Sequence, residues 1–302
     1  MSLVSIADLS RPISETYRAR EEAEKLKDIF IAWHTRSQFS ASKFEVYLDS
    51  TGGRSNGIHA SESSGCMRPT VYSLRGTDKR APEIVDPNMI MRFTLGKVIH
   101  AYIQHAWSCI AAESEGRITY EAEVPIHPGN SEIAKYWSIY SSCDGVIGLW
   151  DDDTQFARIG LEIKTQSDGS YTKMSKPDPK HLDQSTVYMK CLDLPLMWAC
   201  YYNKSNSDVA ISGEPYLFTY KEEIWEALEK RWTEQHQHAL DGTLPERKTG
   251  MECSWCPYAW ICDPEIPQFV LNKIKKQQQG KNNESELTRR YFAIRRRNSS
   301  NT

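Results

Sequence analysis

The chain has no long hydrophobic run. Its longest apolar stretch, around Leu196–Tyr202, falls far short of the roughly 20 residues a helix needs to cross a bilayer. Met1–Arg20 is polar and charged, without the apolar core of a secretory leader. These two absences argue against a helical membrane protein and an exported one, and the expectation is a cytoplasmic protein. No internal repeat is visible, which sets aside solenoids and propellers. Net charge is also small, −3 over 302 residues, which argues against a protein that coats DNA by charge alone. Cysteine is not scarce: there are eight. In a chain of this size and expected compartment they do not read as a disulfide framework. They point to metal or cluster ligation for some and plain burial for the others.

What is present is ordinary globular composition, 39% hydrophobic and 25% charged. The small net charge hides an asymmetry. Leu271–Thr302 carries nine Lys and Arg against Glu284 and Glu286, a net +7, so the remainder stands at −10. A basic tail is a common nucleic-acid contact, though it is as often a solvated terminus. Three regions follow: a helical N-terminal extension over 1–60, a main domain over 61–265, and a basic tail over 266–302.

Within these regions the periodicity alternates between helix and strand. A charged helix is expected at 15–35, a Ser- and Gly-rich irregular connection at 40–65, a short helix after Cys66 and a longer helix at Pro87–Glu113. Strands are expected at 117–126, 137–149 and 156–165, followed by a loop at 166–179 and a helix from Pro179 to Leu192. Leu196–Asn203 and Pro215–Thr219 read as further strands, and Lys221–Leu240 as a strong amphipathic helix. This order gives an α/β fold: a central mixed β-sheet flanked by helices.

One stretch of that sheet carries chemistry. Arg158–Thr165 alternates polar and apolar, so Glu162 and Lys164 leave the strand on one face while Ile159, Leu161 and Ile163 enter the core. Asp144 lies on the preceding strand, and the polar turn Asp151–Thr154 would fold the two strands into a hairpin with Asp144 near Glu162. Two acids and a lysine in this arrangement can hold a divalent metal and activate water beside a phosphate. Glu-x-Lys alone is common on strands. It gains weight from Gly96-x3-His100 on the helix before and from Gln184-x3-Tyr188 on the helix after, whose members share one helical face. Glu123, on the first of these strands, is placed to approach the same site.

The cysteines form a second constellation. Cys253, Cys256 and Cys262 make a C-x2-C-x5-C group, and Cys66 is the candidate fourth ligand. Cys109, Cys143, Cys191 and Cys200 sit in apolar segments and read as buried hydrophobes. Four thiolates suit zinc or a 4Fe–4S cluster. Structural zinc sites usually present cysteine pairs, so one distant cysteine with three clustered favours the iron–sulfur cluster.

The order Cys66, Gly96-x3-His100, Asp144, Glu162-x-Lys164, Gln184-x3-Tyr188 and Cys253-x2-Cys256-x5-Cys262 resembles the RecB-like iron–sulfur branch of the PD-(D/E)XK nucleases. The nearest likenesses are the CRISPR-associated RecB-like exonucleases and the AddB-type nuclease domains. The resemblance implies a restriction-endonuclease-like core and Mg²⁺- or Mn²⁺-dependent hydrolysis of phosphodiester bonds at DNA ends. It implies His100, Asp144, Glu162 and the backbone carbonyl of Ile163 as metal ligands, with Lys164 acting on the attacking water. It further implies Gln184 and Tyr188 as contacts to the DNA strand, and Cys66, Cys253, Cys256 and Cys262 as holders of a structural 4Fe–4S cluster. Two positions depart from the pattern: Cys143 stands where the superfamily proline would be, and Cys66-Met67-Arg68-Pro69 replaces Cys-Pro-Arg. The partner implied is DNA, with a role in recombination, replication or DNA degradation in a phage or bacterium. Alternatives are a CRISPR adaptation nuclease trimming spacers beside an integrase partner, and a catalytically inactive DNA-binding iron–sulfur or zinc module. An oligomer is compatible with either kind of enzyme.

Overall fold

A computed structural model describes residues 13–37, 55–80, 87–173, 176–204 and 216–262. The basic tail and much of the expected connection at 40–65 lie outside these residues.

The sheet has five strands in the order β1 (Ile118–Ile126), β2 (Ser141–Asp151), β3 (Thr154–Gln166), β4 (Leu196–Asn203) and β5 (Tyr216–Thr219). Neighbours pair antiparallel except β3 and β4, which are parallel. A parallel pair needs a crossover, supplied by α5 (Asp168–Tyr171) and α6 (Pro179–Leu192). The mixed, helix-flanked sheet is the architecture expected from the order of elements.

Alternation along β3 divides the core between the two faces of the sheet. Ile159, Leu161 and Ile163 are buried on one face with Trp198 and Cys200 of β4. That face is covered by α1 (Ile13–Ser37) and α3 (Pro87–Glu113). The helix α1 is charged, yet Ala19, Ala23, Leu26, Phe30 and Trp33 recur every three or four residues and are buried in this core. It is therefore anchored to the sheet. Trp33 Nε1 donates to Glu113 Oε1 at 3.2 Å, and Arg36 pairs with the same carboxylate.

The opposite face is covered by α4 (Glu132–Trp137), α6 and α7 (Glu222–Asp241). Val187, Tyr188, Trp225, Leu228 and Trp232 are buried there. The strand β2 starts only at Ser141, and the short α4 falls between the strands expected at 117–126 and 137–149, where the sequence reading placed no element. Ser131 caps it by accepting from the Ala134 amide, and Ser138 ends it in the left-handed conformation at φ 57°. Its single stripe is too short to show a helical period. The helix α2 (Arg68–Leu74) begins two residues after Cys66 and lies against α7.

Candidate active site

The strands β2 and β3 pair from Asp151↔Thr154 up to Gly145↔Leu161 and then part. Asp144 is the first residue beyond that last pair, so its carboxylate occupies the fork. There Oδ2 accepts from the Ile163 amide at 2.6 Å, replacing the ladder bond the parted strands no longer make. The backbone carbonyl of Asp144 accepts from Gln104 Nε2 at 3.0 Å and from the Tyr120 hydroxyl at 3.1 Å. Gly145 is required beside it, because a Cβ there would lie 2.4 Å from the Tyr120 ring.

Opposite Asp144, Glu162 and Lys164 leave β3 on the α6 face, as the strand period requires. Glu162 is 3% exposed. Its Oε1 lies 2.5 Å from Lys164 Nζ, while Oε2 is buried with no hydrogen-bond partner. Burial, and then the neighbouring charge of Asp144, push the Glu162 pKa up to about 7 against the pull of Lys164. Lys164 Nζ also donates to Gln184 Oε1 at 2.9 Å, and Gln184 Nε2 donates to the Tyr188 hydroxyl at 2.6 Å. The amide of Gln184 is thereby orientated, with its oxygen on the ammonium.

The fourth member arrives from the other face. The helix α3 passes close over the end of β3 at Gly96, where a Cβ would meet Thr165 Oγ1 at 3.6 Å. One turn on, His100 Nδ1 lies 3.4 Å from Asp144 Oδ1. Burial alone would lower the His100 pKa. The hydrogen bond to Asp144, reinforced by the charges of Asp144 and Glu162, overcomes it, and the net shift is upward.

The structure thus gathers His100, Asp144, Glu162, Lys164, Gln184 and Tyr188 around one fork. It differs from expectation at the last two. Gln184 is 6% and Tyr188 2% exposed, and they bond to each other and to Lys164. As folded, both face the interior and support the lysine; neither presents its polar group to a strand at the surface. Glu123 is exposed and left-handed, at φ 49°. Its carboxylate accepts from Gln104 Nε2 at 2.7 Å and Ser142 Oγ at 2.8 Å, so it reaches the fork only through Gln104. Gln104 escaped the sequence reading, although its spacing of four from His100 on one helix face marks it.

The chemistry of the fork suits a hard divalent ion. Two carboxylates, an imidazole and the Ile163 carbonyl are oxygen and nitrogen donors, and Glu162 Oε2 is a buried oxygen with no hydrogen-bond partner, its other oxygen being paired with Lys164. As folded they are not closed into a ligand set: among the described residues, no group of three or more His, Cys, Asp or Glu side chains is arranged to hold a metal.

That statement covers the cysteines too. Cys66, Cys253, Cys256 and Cys262 are all half-buried and free. Chain folding does bring them into one neighbourhood. Burial first, then the nearby Cys262, Cys253 and Cys66, raise the Cys256 thiol to about 11. Arg68 joins the two sequence regions, with Nε donating to the Pro245 carbonyl at 2.8 Å and Nη1 to the Cys262 carbonyl at 3.3 Å and its Sγ at 3.7 Å. Tyr72 stacks on buried Tyr258 with centroids 5.4 Å apart. Of the cysteines read as apolar, Cys143 and Cys200 are buried, while Cys109 and Cys191 are partly exposed. Cys143 points its thiol at the Gly145 and Leu161 carbonyls at 3.3 and 3.4 Å, at the root of the fork.

No family model matches the chain, and no curated protein matches it. Among solved structures it has low likeness to SSO0001, with 14% identity over 80% of this chain and 98% of that one, at a TM-score of 0.40. The exonuclease LHK-Exo in complex with dAMP matches at 17% identity over 63% of this chain and 90% of its own, with a TM-score of 0.42. The alkaline exonuclease LHK-Exo from Laribacter hongkongensis matches at 16% identity over the same shares, 63% and 90%, with a TM-score of 0.41. No helix among the described residues is long and apolar enough to cross a membrane.

Proposed function

We propose that the chain is a divalent-metal-dependent deoxyribonuclease that hydrolyses phosphodiester bonds at DNA ends, with Asp144, Glu162 and Lys164 at its centre. The observation that carries this reading is the buried Glu162 carboxylate, paired with Lys164 at Oε1, unpartnered at Oε2 and close enough to Asp144 for that charge to raise its pKa. One lysine does not balance two neighbouring carboxylates, and a divalent cation between Asp144 and Glu162 would supply the missing charge. The order of motifs described above supports DNA as the substrate.

Asp144, Glu162, His100 and the Ile163 carbonyl would hold the ion, Mg²⁺ or Mn²⁺, which supplies positive charge to the phosphoryl oxygens and acidifies water. The work of the protein's own groups is positional. The Ile163 amide fixes Asp144. Gln184, itself oriented by Tyr188, holds Lys164 at the carboxylate. There the lysine can orient a water and offset charge as it grows on the phosphate. Gln104 and Tyr120 hold the Asp144 backbone, so the carboxylate cannot swing away.

Under the same reading, Cys66, Cys253, Cys256 and Cys262 hold a structural 4Fe–4S cluster, with zinc the alternative occupant. Their shared neighbourhood and their soft sulfur chemistry support it. A cluster there would tie α2 to the C-terminal turn and so restrain a long loop of chain.

The test uses end-labelled single- and double-stranded DNA with purified protein, with and without Mn²⁺. Stepwise release of nucleotides only in the presence of metal is the expected result. Absence of cleavage on both substrates in Mn²⁺ and in Mg²⁺ would overturn the proposal. For the cluster, the isolated protein should be brown and contain iron; stoichiometric zinc without iron would overturn it.

A further inference from the structure

Glu123 lies beside the fork and holds neither the ion nor the water of the proposed reaction. It is nevertheless the point at which β1 departs from a regular strand. Its backbone is left-handed, at φ 49°, a conformation that strains any residue with a Cβ. The register of β1 on β2 is constant from Ile118↔Leu149 to Ile126↔Ser141, and the pair missing from it is Glu123↔Asp144. Both strands change face at that place. Ile118 and Tyr120 pack in one core and Val124 and Ile126 in the other, although alternate residues of a regular strand share a face. On β2, Ile147 and Leu149 belong to the first core and Cys143 to the second.

We infer that Glu123 is a positioning residue: its left-handed backbone opens the ladder at Asp144, and its carboxylate fixes the Gln104 amide that holds Asp144 in the fork. This rests on the nuclease reading and adds to it a residue that acts through another.

With no ladder partner on β1 or β3, Asp144 takes its hydrogen bonds from elsewhere. Its carbonyl accepts from Gln104 Nε2 at 3.0 Å and from the Tyr120 hydroxyl at 3.1 Å. The Gln104 nitrogen has two protons and two acceptors to receive them, the Asp144 carbonyl and Glu123 Oε1 at 2.7 Å. A reversed amide would set its oxygen against a carbonyl and a carboxylate. The charge on Glu123 therefore decides which way Gln104 faces. Glu123 is held in turn, because its Oε2 accepts from Ser142 Oγ at 2.8 Å, two residues before Asp144 on β2.

The strain and the contact belong together. In an unbroken strand, residue 123 would project to the face opposite Tyr120, away from α3 and Gln104. The left-handed backbone is what brings the carboxylate to α3.

The test compares Glu123→Ala, Glu123→Gln and Glu123→Gly with Gln104→Ala. Mn²⁺ affinity is read by titration calorimetry without DNA, and cleavage of end-labelled DNA by initial rates. Glu123→Ala should weaken Mn²⁺ binding about tenfold, the scale for losing a group that orients a metal ligand from outside. It should lower kcat more than it changes KM for DNA. Glu123→Gln keeps an acceptor for Gln104 and should recover most of the loss. Because Glu123 acts through Gln104, the double variant Glu123→Ala/Gln104→Ala should be no worse than Gln104→Ala alone. Glu123→Gly separates positioning from stability. It should lose Mn²⁺ affinity as Glu123→Ala does, yet melt about 2 °C or more above it in EDTA, since glycine adopts the left-handed conformation without strain. A merely structural Glu123 would leave Mn²⁺ affinity unchanged in variants that fold. Unchanged affinity in Glu123→Ala, losses that add in the double variant, or a Glu123→Gly protein that melts below Glu123→Ala would overturn the inference. Failure of the wild type to bind Mn²⁺ or to cleave DNA would remove the nuclease reading and this inference with it, and shows before any variant is made.

Discussion

The carboxylate fork and the cysteine edge assemble polar groups in opposite ways. At the fork the two acids and the lysine are set by the backbone of neighbouring strands: Asp144 by the Ile163 amide, Glu162 and Lys164 by the pleat of β3. The result is a buried carboxylate, Glu162, with one oxygen unpaired, beside the partly buried Asp144. At the cysteine edge the thiols come from segments nearly two hundred residues apart and are held by side chains, chiefly Arg68 and the Tyr72–Tyr258 stack. Those thiols remain half-buried. A site built on strand register is preorganised by the same hydrogen bonds that make the sheet. A site built by docking two distant segments depends on whatever bridges them, and the proposed cluster would add a bridge there.

The contrast can be broken at its strongest point first. Lys164→Ala or Asp144→Ala should lower cleavage by about a thousandfold or more, in the range expected when a group acting on charge in the transition state is lost. Circular dichroism should be unchanged, because the sheet does not depend on either side chain for packing. Near-normal cleavage by purified Lys164→Ala would end the catalytic assignment. Cys256→Ser comes next. It should lose iron and visible absorption and fall in melting temperature by roughly 10 °C, on a scale where about 1 kcal/mol moves a domain of this size by 2–4 °C. An unchanged melting curve would mean the cysteine edge is held by Arg68 and the aromatic stack alone.

Glu162→Gln sharpens the comparison in the other direction. In EDTA, wild-type Glu162 has its pKa raised to about 7 from 4.5. The folded state therefore binds its proton more tightly than the unfolded chain does. That contribution is present below about pH 4.5 and is lost as pH rises through about 7. Removing the charge should make the metal-free protein more stable at pH 8 by about 1 kcal/mol or more, with little change at pH 5, as read by urea unfolding. A loss of stability at pH 8 would show that the Lys164 pair outweighs the repulsion. The smallest expected effect is Arg68→Ala. Loss of its bonds to Pro245 and Cys262 should cost about 1 kcal/mol and speed iron loss to a chelator, without changing the initial cleavage rate.

The site was legible where a short-range period governs it. The two-residue spacing of Glu162 and Lys164 dictated their shared face, and the hairpin from β2 to β3 brought Asp144 near them. The same logic set Ile159, Leu161 and Ile163 into the core, where they are essentially inaccessible. Gln184 and Tyr188 were correctly put on one helix face, but whether that face looks outward or inward is a property of the helix's packing, and it looks inward. Gln104 and Tyr120 carried no motif; their relevance comes from the elements that cross near the fork. The charge of α1 masked a buried stripe of five residues, and α4 was too short for any period to show.

By itself the sequence determined the alternation that makes the strands, the face on which each acid and lysine lies, and the presence of four cysteines in two distant groups. The tertiary structure decided that the strands part at Gly145, that Asp144 fills the gap, and that Glu162 is left with an oxygen facing no partner. It also decided that the Gln184–Tyr188 pair is spent on Lys164. The physical reason is range. Side-chain direction follows from covalent geometry over two to four residues, whereas burial, desolvation and the pKa of a carboxylate depend on which segments come to surround it.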